Sequence, residues 1–312
     1  MERFHESHPA FSGFSQFYNR EIYPQLAAWE SRRKWKSFWA VPMLILSSII
    51  CACFFYWSVT VESKFLSYFG IFFVIFSSPV LVYRVFFRAL KADVKDFLVG
   101  KVCNYTGLQY SRKPNTSAPL QLFRQLKFLP FTYRFRRYED HILGSCQGIP
   151  FQVFEAHGET GNSRFPKPHI STIFKFDLPP ATQGDFVVLR RSDPKPAKKL
   201  GLKPIGFAAP PFSHLFEVYG TDQVLSRFLL HPVFLERILY GERLIGGANT
   251  RFALSGQTLW VCVETFNRFE EGSMWTSFIN PKRTQQLVWE ISSALHVVDG
   301  LAGLLREPGR AA

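Results

Sequence analysis

The chain has 312 residues, of which 37 are Lys or Arg and 24 are Asp or Glu, so its formal net charge is +13. Hydrophobic residues make up 47% of the chain. This fraction is too high for an intrinsically disordered protein, which has few apolar side chains. Five cysteines in so long a chain exclude a small disulfide-rich secreted scaffold, and we expect them to be free thiols.

A helical pattern occupies residues 11–36. Aromatic and aliphatic side chains recur every three or four positions, and Pro24 predicts a break or a new start of the helix. The end of the segment is basic and aromatic, which predicts contact with a membrane interface. Packing against the protein's own folded domain is the alternative, and the sequence leaves both open. The residues expected at the interface are Trp29, Arg32, Arg33, Lys34, Trp35 and Lys36.

Two uncharged runs, residues 38–61 and 65–83, predict a transmembrane helical hairpin. A helix needs about 20 apolar residues to cross a bilayer, and neither run has the polar face of a core helix. Basic residues precede the first run and follow the second, where Arg84 and Arg88 extend the set expected at the membrane interface. The positive-inside rule then predicts a multi-pass protein with both termini in the cytoplasm.

These patterns divide the chain into a juxtamembrane segment at 1–37, a transmembrane hairpin at 38–83 and a cytoplasmic domain at 84–312. In that domain, residues 142–146 and 149–156 flank Gln147-Gly148, which is a signal for a two-residue hairpin turn. A second hairpin is predicted from residues 251–254 and 258–264, which flank a glycine-containing turn.

The remaining elements complete the predicted fold class. Residues 169–176 and 186–191 are predicted to pair as strands, and Asp222 is predicted to cap a short helix. Residues 192–204 carry four Lys and one Asp among prolines, which predicts an extended, solvated loop. Pro281 starts a long C-terminal helix with an apolar stripe. The fold class is therefore α+β, with a mainly antiparallel sheet and a C-terminal helix.

Residues 123–138 alternate basic and aromatic side chains and form a possible interaction patch. The pattern is compatible with a solvated strand face, with lipid head groups, or with single-stranded nucleic acid, of which nucleic acid is the partner we do not expect. The basic members of the patch are Arg124, Lys127, Arg134, Arg136 and Arg137.

Local motifs for phosphate cradling, dinucleotide binding, serine hydrolysis and zinc peptidase chemistry do not occur in the sequence. His157 and His169 could meet across a hairpin with Glu155 or Glu159 nearby, but metal binding requires three or four converging groups. We expect hydrogen-bonded or surface histidines there, with neither a metal nor a cofactor.

The stretch Phe216–Pro232, which reads FEVYGTDQVLSRFLLHP, resembles an uncharacterised family of bacterial membrane proteins known only as a domain of unknown function. The likeness rests on the Phe-Glu-Val-Tyr strand, on the Thr-Asp helix start and on a later Phe-Glu step at Phe269-Glu270, while Ser226 departs from it. It implies two adjacent spans, a cytoplasmic domain and a bacterial inner-membrane location, and it brings no catalytic residues. The family-motif residues are Phe216, Glu217, Tyr219, Asp222 and Arg227, for which a structural role is expected.

The sequence therefore predicts a non-enzymatic, membrane-anchored scaffold domain. Its expected partners are the lipid bilayer with its anionic head groups, and a protein partner or a second copy of the chain. The alternative is a membrane-tethered enzyme for a lipid or phosphorylated substrate, which would use Glu217, Asp222, Arg227 or His231 near the strand-to-helix turn at 216–232. Convergence of these four side chains in a concave pocket would favour the enzyme.

Overall fold

The computed structural model describes residues 2–60, 88–114, 119–130, 134–161, 164–180, 183–207, 212–270 and 276–306. The α-helices of these residues are α1 (Phe14–Phe17), α2 (Tyr23–Thr60), α3 (Arg88–Tyr105), α4 (Leu120–Leu126), α5 (Phe212–Leu215), α6 (Gln223–Leu229), α7 (Pro232–Leu244) and α8 (Pro281–Arg306). Short 3-10 turns occupy Pro9–Phe11 and Lys198–Leu200, and a π-helical turn at Tyr18–Ile22 leads into α2.

Nine strands of the described residues form one antiparallel sheet, in the order β1-β2-β3-β4-β9-β8-β5-β7-β6. The strands are β1 (Gln109–Ser111), β2 (Phe135–Cys146), β3 (Ile149–Thr160), β4 (Lys167–Asp177), β5 (Gly184–Arg190), β6 (Lys203–Ile205), β7 (Phe216–Gly220), β8 (Ala248–Gly256) and β9 (Thr258–Thr265). The predicted α+β class with an antiparallel sheet and a long C-terminal helix is therefore confirmed.

Both predicted hairpins form. Gln147 and Gly148 connect β2 to β3 with φ angles of 50° and 82°, and positive φ at both central residues is what a type I′ turn requires. The predicted pairing of residues 169–176 with 186–191 is wrong, because β4 pairs with β9 whereas β5 lies between β7 and β8. These pairings join strands that are distant in sequence, and strand propensity alone does not select such partners.

Apolar layers cover both faces of the sheet. On one face, Phe123 of α4 packs edge to face on Trp260 of β9, with ring centroids 5.2 Å apart. On the other face, Phe234 of α7 packs on Phe252 of β8, with centroids 5.9 Å apart. The stripe predicted on α8 is buried at Leu287, Ile291, Leu295, Val298 and Leu301, which confirms its core-facing role.

The chain divides into two compact units. The first comprises residues 1–5, 13–101 and 270–286, and the second comprises 6–12, 102–269 and 287–312. Within the first unit, Trp29 packs edge to face on Phe97 with centroids 5.0 Å apart, and Glu30 accepts a 2.9 Å hydrogen bond from the amide of Phe278. The apolar face of the predicted N-terminal helix therefore packs on the protein itself. This was the alternative to contact with a membrane interface.

The predicted transmembrane hairpin at 38–83 is contradicted. Residues 38–60 are the second part of α2, which begins at Tyr23 and continues through the charged positions 30–36. Among the residues that the structure describes, no helix combines the length and the apolar character needed to cross a bilayer. The multi-pass inner-membrane location with two cytoplasmic termini depended on the hairpin and is contradicted with it. The second run, 65–83, and Arg84 lie outside the described residues.

The other residues expected at a membrane interface have varied surroundings in the first unit. Arg33 donates two 2.8 Å hydrogen bonds to the carboxylate of Glu30, while Arg32, Lys34, Trp35 and Arg88 are exposed and Lys36 is half-buried. Burial alone would raise the pKa of Glu30, but the hydrogen bonds from Arg33 and Phe278 outweigh it and lower that pKa to about 2.

Candidate functional site

A groove of about 310 Å³ lies at the β6 end of the sheet in the second unit. Its walls include residues of β7 together with Ile205, Phe207 and Phe212. Arg191 and Lys195 line its charged side, and Glu217 contributes a carboxylate. Ligand sites combine apolar walls with a few converging polar groups, and this groove has both.

The basic side of the groove belongs to the loop that follows β5, which we call the basic loop (residues 191–203). Arg191 fastens its start by donating hydrogen bonds of 2.9 and 2.7 Å to the carbonyl oxygen of Ser213. The ammonium groups of the four lysines form no ion pair with any described residue, so their charge faces solvent uncompensated. These lysines are Lys195, Lys198, Lys199 and Lys203.

The acidic residue of the basic loop pairs with an arginine of the same domain. Asp193 accepts hydrogen bonds from Arg251 at 2.6 and 2.7 Å, and Glu264 accepts a third at 2.7 Å. Burial alone would lower the pKa of the Arg251 guanidinium, but the hydrogen bonds and charges of the two carboxylates raise it. Asp193 is paired with Arg251 and forms no ion pair with the lysines around it.

A second ionic contact holds β5, the strand that leads into the basic loop. Arg190 donates a 2.5 Å hydrogen bond to Glu242 of α7, and its guanidinium lies 4.4 Å from the ring centroid of Phe216. Burial alone would raise the pKa of Glu242, but hydrogen bonds from Thr250 and Arg190 outweigh it and lower the pKa. The loop is therefore held at its base by two ionic contacts.

Two members of the predicted patch at 123–138 lie beside the basic loop. The amide of Ala197 in the loop donates a 2.8 Å hydrogen bond to the carbonyl of Gln125, which lies between Arg124 and Lys127 in the chain. Arg136 and Arg137 lie elsewhere, on β2, where they form ion pairs with Glu159 at 2.5 Å and with Glu139 at 2.6 Å. Arg134 is half-buried just before that strand. The predicted patch is thus divided, and only its first part adjoins the lysines.

The residues of the predicted strand-to-helix site do not converge. Glu217 lines the groove and accepts a 2.5 Å hydrogen bond from the hydroxyl of Tyr219, whereas Arg227 donates to the carbonyl of Gly206. Asp222 caps α6, and His231 caps α7 through a contact with the amide of Phe234. Phe216 is buried beneath Arg190. Each side chain therefore holds local structure, and Glu217 and Arg227 have different partners.

Replacing Asp222 with alanine should lower the free energy of unfolding by about 0.5–2 kcal/mol, the usual loss for a helix N-cap. The carboxylate accepts hydrogen bonds from the amides of Val224 at 2.7 Å and Leu225 at 3.1 Å, and alanine leaves both donors without it. Urea denaturation measures the loss. Asp222→Asn retains an acceptor and should stay close to the parent protein, and equal losses in the two variants would contradict the capping role.

A second group of ionisable residues lies on β2 and β3. Glu155 is fully buried, lies 3.1 Å from the imidazole of His157 and accepts a 2.8 Å hydrogen bond from the amide of Arg268. Burial, reinforced by the charge of Asp140, raises the pKa of Glu155 to about 7. His169 does not join this group, because His157 is opposite Ile170 in the register and adjacent strand positions face opposite sides. Within the described part of the chain, no three such ligands are placed to hold a metal ion.

Sequence reasoning gave the basic loop no functional role. The signal was present, since four lysines share the loop with one acidic residue. Its importance depends on the distant partner of that acid, Arg251, and on the groove that β7 and α5 build beside it. Neither neighbour can be identified from the spacing of residues along the loop.

The fold and the site define an antiparallel α+β domain with a basic surface. Comparison with known families finds in it a match to the family described as "Protein of unknown function (DUF3137)", over residues 172–302. The matched stretch begins in β4, ends in α8 and includes the basic loop and the groove. This agrees with the resemblance to an uncharacterised family, and a membrane nature is not shown. No curated protein and no solved structure gave a significant match.

Proposed function

We propose that the second unit is a non-enzymatic binding domain that recognises an acidic segment of a partner protein. The observation that carries the proposal is the set of four lysines in the basic loop whose charges have no carboxylate partner among the described residues. One of them, Lys195, lines a groove with apolar walls, so that charge and an anchoring pocket occur together. Complementary charge gives such a surface its specificity and its association rate.

The groove favours recognition of a side chain over addition of a strand. The neighbouring edge strand β6 has three residues, and the central one, Pro204, has no amide hydrogen to donate to an incoming strand. An aromatic or aliphatic side chain of the partner could instead contact Phe207 and Phe212 within the groove. Acidic residues on either side of it would then meet Lys195 and its neighbours.

A binding role also agrees with the contacts made by the residues that the sequence offered as catalytic candidates. Glu217 is engaged by Tyr219, and burial together with Glu217 raises the pKa of the Tyr219 hydroxyl to about 12. A hydroxyl that holds its proton this firmly is a poor general acid near neutral pH. Asp222 and His231 accept backbone hydrogen bonds at helix starts. These contacts support a site that binds without performing chemistry.

Binding of a fluorescein-labelled peptide with one tryptophan among glutamates tests the proposal. We expect fluorescence anisotropy to report binding at low salt, and Lys198→Glu/Lys199→Glu to weaken it by at least about tenfold, which corresponds to roughly 1.4 kcal/mol. The matched control is Lys113→Glu/Lys167→Glu, which makes the same charge change at exposed positions outside the loop. The control should retain most of the affinity.

Two outcomes would contradict the proposal. If the parent protein does not bind the peptide, or if both double variants weaken binding equally, the basic loop has no specific role. Vesicles of anionic phospholipid serve as a second probe, because lipid head groups were the other anionic partner expected from the sequence. Vesicle binding without peptide binding would assign the lysines to lipid in place of a protein.

A further inference from the structure

A second cavity, of about 430 Å³, is lined by residues of α7 and of the C-terminal part of α8. Its polar groups come from Arg237 and Tyr240 on α7 and from His296 and Asp299 on α8. The volume lies within the range of roughly 300–1,000 Å³ that is usual for small-molecule sites. The residues of the proposed peptide site do not line it.

Opposite charges line this cavity without neutralising each other. Arg237 forms no ion pair with any described residue, Asp299 included. Asp299 receives one contact on each oxygen, from the imidazole of His8 at 2.8 Å and from the thiol of Cys146 at 3.0 Å. A carboxylate has about four acceptor positions, and the Asp299 side chain is 44% exposed. Both a cation and an anion are therefore available to a ligand.

The remaining polar groups are held in place by neighbouring contacts. The Nε2 of His296 lies 3.0 Å from the carbonyl oxygen of Ser7, and the ring packs edge to face on His8 with centroids 4.5 Å apart. Tyr240 is 52% exposed and offers its ring and hydroxyl at the wall of the cavity. These groups add hydrogen-bonding and aromatic surfaces beside the two charges.

A glycine keeps the space open. A methyl group placed on Gly300 would have one neighbour within 4 Å, the Cδ of Arg237 at 3.8 Å, which is an ordinary contact distance. A longer side chain at this position would project from the wall that Gly300 now forms. A substitution at Gly300 can therefore narrow the cavity while the charged groups of Arg237 and Asp299 are retained.

We propose that this cavity binds a small zwitterion of the α-amino acid class. The ligand carboxylate would pair with Arg237, which has the donor geometry suited to carboxylates. The ligand ammonium would donate to the open acceptor positions of Asp299. A ligand with only one of the two charges would leave one protein group without its partner.

The cavity binds, on this proposal, without covalent chemistry. Burial, with a further contribution from Asp299, raises the pKa of the Cys146 thiol to about 12, and a thiol that keeps its proton is a weak nucleophile. Asp299 lies between Cys146 and His8, so the imidazole is not placed to take the thiol proton. No group transfer is required of these residues.

Thermal-shift and calorimetric titration of the purified chain with the free L-amino acids tests the proposal. We expect at least one amino acid to bind with a millimolar or lower dissociation constant. Its N-acetyl and its amide derivatives, which each lack one charge, should bind at least about tenfold more weakly. Arg237→Gln and Gly300→Met should cause a comparable loss, whereas Gly300→Ala should keep the affinity of the parent protein.

Other results would overturn the proposal. If no free amino acid binds at millimolar concentration, the cavity has no role of this kind. Equal binding of the amino acid and of a derivative with one charge would exclude recognition of a zwitterion, and unchanged binding in Gly300→Met would place the ligand elsewhere. Circular dichroism of each variant confirms folding, and the labelled acidic peptide should bind all of them, which separates this result from a failure of the basic loop.

Discussion

Replacing Arg251 with methionine should lower the free energy of unfolding by about 3–5 kcal/mol, the loss found when one partner of a buried ion pair is removed. Arg251 is 4% exposed and holds Asp193 and Glu264 through three hydrogen bonds of 2.6–2.7 Å. Methionine fills similar space but leaves both carboxylates without their cation. Urea denaturation followed by tryptophan fluorescence measures the loss.

Arg243→Met is the matched control, because Arg243 is exposed near the end of α7 and forms no ion pair with a described residue. Its expected cost is within about 0.5 kcal/mol, as for other surface substitutions. A loss under about 1 kcal/mol for Arg251→Met would show that the carboxylates find other partners. Since Asp193 belongs to the basic loop, Arg251→Met should also weaken binding of the acidic peptide under conditions where the protein stays folded.

Glu155 should make the folded state less stable as the pH rises from about 4.5 to about 7. The ordinary pKa of a glutamate side chain is 4.5, whereas the pKa of Glu155 in the folded protein is about 7 because burial disfavours the charged form. In this window the unfolded chain releases the proton while the folded chain keeps it. The free energy of the unfolded state therefore falls relative to that of the folded state as the pH rises. The contribution is about 3 kcal/mol by the usual conversion of pKa to free energy, and it is fully lost above pH 7.

The Glu155→Gln variant isolates this contribution. Glutamine retains an oxygen that can accept the hydrogen bond from the amide of Arg268, but it does not titrate. The variant should therefore become more stable relative to the parent protein as the pH rises from about 4.5 to 7. Chemical denaturation at several pH values measures it. Parallel curves for the two proteins would show that Glu155 ionises normally in the folded state.

Local signals predicted much of the fold. The alternation around Gln147-Gly148, the cap at Asp222 and the start of α8 at Pro281 depend on neighbours within a few residues, and each is found where it was expected. The pairing of β4 with β9 joins distant parts of the chain, and no local pattern specifies it. The same holds for the candidate site, because Asp193 is paired with Arg251 across 58 positions of sequence.

The predicted transmembrane hairpin is the case in which a local signal gave a wrong prediction. An uncharged run records hydropathy, but it does not show that the helix containing it begins at Tyr23 and carries charges through its first part. The resemblance at Phe216–Pro232 reinforced the same expectation, although the matched family stretch starts only at residue 172. A membrane prediction from this sequence therefore rested on residues that lie outside the matched domain.

The order of strands in the sheet has a consequence for how the chain assembles. Strands β2, β3 and β4 follow one another directly, and β8 and β9 form a hairpin across Gly256, so both groups can form with short loops closed. The contact of Ile170 with Thr265, which joins the two groups, requires a long loop to close first. Loop closure costs entropy before the new contacts repay it. We therefore expect the β4–β9 junction to form late in the folding of this sheet.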